Sequence, residues 1–236
     1  MTTIDWAELK VHDLARQQNF YQKLFDLPVT AQEPGRVELG GLLRLHADPH
    51  AQVPRQAQPG LFHLAFLLPD AQKLGGWLKA HPSALEGASD HGVSQALYLS
   101  DPEGNGIEVY ADRPREEWPP EMYTRRLDLD RLLAGAAAWK EPDELRLGHI
   151  HLRSLSSRDG REWFARLGMQ LTTSYPGAEF YAADGYHHHF AVNQWGVQAA
   201  SLGRWTGLTG YGLSGAYDGG ELTDPWGHRV ELRSAS

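Results

Sequence analysis

Apolar and polar residues alternate along much of this chain in short runs, and that period of two predicts strands. Leu61-Phe62-His63-Leu64-Ala65-Phe66-Leu67-Leu68 reads as one. A second, at 147–153, places His149 and His151 on one face and Ile150 and Leu152 on the other. Further strands are expected at 95–100, 106–111, 170–175, 178–183 and 186–193. Helical spacing predicts helices at 70–81, with Asp70 as N-cap, at 128–139 and at 157–167.

These segments recur in order. Leu9-Lys10-Val11-His12-Asp13-Leu14, followed by the aromatic pair Phe20-Tyr21, matches Leu152-Arg153-Ser154-Leu155 followed by Trp163-Phe164. Asp101-Pro102-Glu103-Gly104 leading into Ile107-Glu108-Val109 returns as Asp224-Pro225-Trp226-Gly227 leading into Val230-Glu231-Leu232. Proline presets φ and glycine supplies a positive one, so each copy is a tight turn into a strand carrying a glutamate. Four units follow, at about 4–50, 60–113, 146–195 and 205–234. Glu108 lies 45 positions after His63, whereas Glu231 lies only 21 after Gly210. The 24 residues of difference are the size of a helix with its connections, so the fourth unit is expected to lack its helix. The expected fold is α+β, built from βαβββ units. Residues 1–113 form an N-terminal domain, 114–145 a linker with a helix, and 146–236 a C-terminal domain.

Composition narrows the chemistry. The chain has 236 residues, enough for two domains of ordinary size. It contains no cysteine, which removes disulfides, thiolate metal sites and cysteine nucleophiles. Twelve histidines then become the first metal-ligand candidates. A net charge of −8 argues against nucleic acid and anionic membranes as partners. No apolar run is long enough to span a bilayer, and Met1-Thr2-Thr3-Ile4-Asp5 lacks a signal-peptide layout. A cytoplasmic protein is expected.

Four strand-helix-strand units with histidines on first strands and glutamates on last strands resemble the vicinal oxygen chelate superfamily of glyoxalases, bleomycin-resistance proteins and extradiol dioxygenases. Gly60-Leu61-Phe62-His63, the run from Asp90-His91-Gly92 to Glu108, and Gly185-Tyr186-His187-His188-His189 are similar to its catechol-2,3-dioxygenase-like branch. The resemblance implies paired units forming U-shaped sheets around a divalent metal, Fe(II) first and Mn(II) second. It implies a small aromatic diol and O2 as substrates, a role in aromatic-compound degradation, and possible homo-oligomers. Two neutral imidazoles and one carboxylate on one face of the ion would leave positions open.

In the family arrangement units three and four share the metal. Here Gly210 replaces the histidine of unit four, and Trp6 occupies the corresponding position of unit one. Units two and three together retain a full set: His63, Glu108 and His149 as ligands. The expectation is therefore that these central units enclose the metal while units one and four pair as a supporting half. The resemblance assigns His189 as acid/base, Tyr98 against the substrate hydroxyl, and His91 and His187 as substrate contacts. An alternative ligand set is His149, His189 and Glu231. Two other functions stay open: a glyoxalase-like isomerase or lyase with His63, Glu108, His149 and His189 all as ligands, and a metal-free binding protein of the bleomycin-resistance type.

Overall fold

A computed structural model describes residues 1–54, 57–82, 85–139, 144–197 and 203–235. Unit one holds β1 (Thr3–Val11), α1 (Leu14–Phe25), β2 (Val29–Glu33), β3 (Arg36–Leu39) and β4 (Leu43–Ala47). Unit two holds β5 (Gly60–Leu68), α2 (Ala71–Ala80), β6 (Gly87–Asp90), β7 (Ser94–Ser100) and β8 (Gly106–Asp112). The linker carries β9 (Arg125–Arg126) and α3 (Leu129–Ala134). Unit three holds β10 (Arg146–Arg153), α4 (Arg161–Arg166), β11 (Gln170–Tyr175), β12 (Ala178–Ala182) and β13 (Phe190–Asn193). Unit four is β14 (Gly207–Gly215), β15 (Gly220–Thr223) and β16 (Arg229–Ser234), with no helix among its described residues. The fold is a sheet-rich α+β one, and no helix of the described residues is long and apolar enough to cross a membrane.

In every unit the first strand runs parallel to the last: β1 with β4, β5 with β8, β10 with β13, β14 with β16. First strands then join the units. β5 pairs antiparallel with β10, uniting the two central repeats, and β1 pairs antiparallel with β14, uniting the outer two. Alternation assigns the faces. Leu64, Phe66 and Leu68 of β5, Ile107 and Val109 of β8, and Ile150 and Leu152 of β10 all join the main core. Phe66 meets Phe25 of α1 at 4.3 Å between ring centroids, and Trp77 of α2 lies 6.2 Å beyond Phe25. The intervening residues of the same strands face the concave side.

The repeated turns share one mechanism. Asp101 Oδ1 accepts from the N–H groups of Glu103 and Asn105, and its Oδ2 accepts from the buried Tyr21 hydroxyl at 3.0 Å. Asp224 does the same toward Trp226, His228 and Tyr211. Glu103 then reaches into unit one and accepts from the N–H groups of His12 and Asp13.

Three elements differ from the pattern-based expectation. The helix over 128–139 is confined to Leu129–Ala134. Beyond Gly135 the chain presses its backbone onto α2, where a Cβ on Gly76 would sit 1.9 Å from the Ala137 carbonyl oxygen. The expected helix at 157–167 starts as a 3-10 turn, Ser157–Gly160, before α4 begins. The strand expected at 186–193 begins only at Phe190, because Asp184 and Gly185 adopt positive φ and turn the preceding residues out of register.

Candidate metal centre

Three neighbouring strands build the concave site. Ala65 of β5 is paired with His149 of β10 on one side and with Glu108 of β8 on the other. Its small side chain lets both flanking residues lean toward His63, two positions along the same face. His63 Nε2 lies 3.0 Å from Glu108 Oε2 and 3.1 Å from His149 Nε2, and His149 Nε2 lies 3.3 Å from Glu108 Oε2. All three residues are buried.

The electrostatics follow from that enclosure. Burial pushes the Glu108 carboxyl up, but His149 and His63 outweigh it and hold the group well below the usual carboxylate range. Burial lowers His149 to about 4, partly offset by Glu108, so its imidazole is neutral at pH 7. A buried carboxylate between imidazoles suits a cation. Donors about 2.1 Å from an ion at right angles to one another stand about 3.0 Å apart, and the separations observed are 3.0–3.3 Å. The donor set and spacing therefore fit a divalent ion held on one face.

A cavity of ≈ 340 Å³ opens above the trio. His91 and Tyr98 stand on one side, with His91 Nε2 2.7 Å from the Tyr98 hydroxyl. His91 Nδ1 is 3.2 Å from the Tyr123 carbonyl, so it carries the proton there and Nε2 accepts from Tyr98. Burial, reinforced by the Glu108 charge, raises Tyr98 well above its ordinary value, so the phenol stays protonated. Phe62, Phe180, Tyr175 and Trp195 supply an apolar wall, and Met122 of the linker closes the space.

The remaining sequence candidates lie elsewhere. His189 is turned away from the cavity: its Nε2 is 3.1 Å from the Thr2 carbonyl and its Nδ1 accepts from Ala183 N–H. The side chain of the triple-histidine run that lines the cavity is His188, 4.1 Å from His149 between ring centroids. The resemblance implied His189, but residues 187–189 precede β13 and do not follow its alternation. His187 sits behind His188, with its Nε2 2.8 Å from Asp112 and its Nδ1 2.7 Å from His188 Nδ1. Glu231 lies in the outer pair, bonded to Arg233, so the alternative set of His149, His189 and Glu231 does not converge. His151 also faces the cavity; its place on the His149 face of the strand was the available signal.

In the outer pair the indole of Trp6 fills the equivalent space. A Cβ on Gly212 would meet Trp6 Nε1 at 2.2 Å, and the Arg44 guanidinium covers the ring at 3.9 Å. Bare glycines on β14 thus accommodate a side chain too large for a metal pocket.

Comparison with known proteins agrees with this architecture. Residues 3–109 match the Glyoxalase/Bleomycin resistance protein/Dioxygenase superfamily. A protein of Bacillus subtilis strain 168 named catechol-2,3-dioxygenase is 38% identical over 215 residues, covering 82% of this chain and 75% of that protein. Among solved structures, a putative dioxygenase from Bacillus subtilis has a TM-score of 0.66 at 13% identity, covering 98% of this chain and 84% of its own. Glyoxalase I from Zea mays has a TM-score of 0.57 at 15% identity, covering 98% and 92%. Fold, repeat pattern and sequence identity together place this chain in the glyoxalase/bleomycin resistance/dioxygenase superfamily.

Proposed function

We propose that this chain is a metal-dependent extradiol-type dioxygenase acting on a catechol-like aromatic diol with O2. The observation that carries the reading is the convergence of His63, Glu108 and His149 at 3.0–3.3 Å beneath a largely apolar cavity. These residues would hold Fe(II), or Mn(II) in its place. When bound, such an ion supplies positive charge for a catecholate and a redox partner for O2. The similarity to a protein named catechol-2,3-dioxygenase supports the same reading.

The chain's own groups divide the remaining work. Phe62, Phe180 and Trp195 pack an aromatic ring and exclude water. Tyr98 already donates to His91, so its oxygen is free to accept from a substrate hydroxyl, and the proton can pass to His91 Nε2. His188 replaces His189 as the histidine that exchanges a proton with bound substrate. The four-ligand isomerase reading loses its fourth ligand, since His189 is engaged with Thr2.

The test is oxygen uptake by protein loaded anaerobically with Fe(II), across a panel of substituted catechols, alongside absorbance of ring-opened product. Uptake that disappears in His63→Ala supports the reading. Metal analysis showing bound iron with no uptake for any catechol refutes it, and a protein that binds no metal favours the binding-protein alternative.

A further inference from the structure

His151 lines the cavity, yet the proposed chemistry leaves it unused. It is two residues beyond His149 on β10, opposite His63 across the strand pair, with the two imidazoles 4.8 Å apart between centroids. Its Nε2 is 2.9 Å from Asn193 Nδ2. The orientation of that amide is set from its other end, where Asn193 Oδ1 accepts from Trp195 N–H at 3.0 Å. Turning the amide over would set two donors face to face. Asn193 therefore donates to His151, and a ring nitrogen that accepts carries no proton. The imidazole is neutral, with its hydrogen on Nδ1. That nitrogen has no hydrogen-bond partner among the described residues, and the ring packs against Phe62 and Trp195 at 4.8 and 5.9 Å between centroids.

We infer that Asn193 locks His151 as the Nδ1–H tautomer, making it a fixed, uncharged donor that selects catechols carrying a carbonyl oxygen on the ring. The inference rests on the dioxygenase reading and adds the substrate class. Tyr98 and His91 attend to the diol, which leaves His151 for a substituent. A cavity of ≈ 340 Å³ has room for one beyond a catechol ring. No Lys or Arg is among the described residues lining it, and the Arg153 guanidinium lies over Phe62 outside that lining, so a carboxylate would enter without a direct cation contact. An acyl, ester or amide oxygen satisfies the donor at no such cost. Asn193 is a positioning residue here; His151 is the group that meets substrate.

Two measurements test this. Nitrogen NMR of histidine-labelled, metal-free protein reads the tautomer directly: His151 shows a protonated Nδ1 and a bare Nε2. Asn193→Asp exchanges the donor for an acceptor and inverts the two signals, while a change in packing alone would not. Anaerobic binding to the iron-loaded protein then compares methyl protocatechuate, free protocatechuate and an alkylcatechol of similar size. The ester binds about tenfold more tightly than the alkylcatechol, and His151→Phe and Asn193→Asp both abolish that preference. A protonated Nε2 in the parent protein, equal binding of ester and alkylcatechol, or a preference that survives His151→Phe overturns the inference. Failure to bind any catechol overturns the functional reading and the carbonyl preference with it; the nitrogen signals decide the tautomer independently.

Discussion

Replacing Glu108 by glutamine separates a metal ligand from a structural carboxylate, because the two roles predict different stabilities with and without the ion. Glutamine keeps the volume and removes the charge. In the ion-free protein Glu108 is a buried anion whose site contacts are His63 at 3.0 Å and His149 at 3.3 Å. Those contacts outweigh its desolvation cost, but glutamine keeps weaker hydrogen bonds to both imidazoles, so ion-free Glu108→Gln should be less stable than the parent by only about 1 kcal/mol. With an ion at a hundred times its dissociation constant, the parent gains about 2.7 kcal/mol. At about 2–4 °C per kcal/mol for a chain of this size, its melting temperature rises by about 5–11 °C. A hundredfold loss of affinity in the variant leaves about 0.4 kcal/mol at the same ion concentration, or about 1 °C. The assay is a thermal scan under nitrogen, with and without Fe(II) or Mn(II). A variant that retains the full rise shows that Glu108 is not a ligand. A variant that loses several kcal/mol without metal shows that it is a structural residue, and a parent that never responds removes the site.

Two further outcomes test the fold around the site. Trp6→Ala empties the filled outer pocket and should cost about 3–5 kcal/mol in chemical denaturation, while the metal-dependent rise in melting temperature stays as in the parent, because Trp6 belongs to the β1–β14 pair. Burial holds His189 at about 4 against an ordinary value of 6.5, with the Thr2 carbonyl opposing the shift. Between pH 6.5 and 4 the unfolded chain takes up a proton that the fold refuses, so this residue withdraws about 3 kcal/mol of stability as the pH falls through that window. His189→Gln should therefore lose less stability than the parent between pH 7 and pH 4; equal losses would show that His189 does not titrate as argued.

Much of the architecture is written in local pattern. The Asp-Pro-x-Gly turns, the alternation on β5, β8 and β10, and the shortened fourth unit each depend on residues close in sequence. So does the facing of His149 and His151, since successive side chains on a strand must point oppositely. Gly210 and Trp6, standing where the outer units would need histidines, point to the central units as the metal site. What tertiary structure alone decided lies where the chain leaves regular geometry or meets distant segments. His188 rather than His189 enters the cavity because positive φ at Asp184 and Gly185 breaks the period of two just before β13. The linker's Met122 became part of the cavity wall through a fold-back that no periodicity encodes. The hydrogen on His151 is placed by Asn193, 42 residues away. Strand sterics act between neighbours and are legible in order; the convergence of three donors within 3.3 Å requires sheet register and packing across the whole chain.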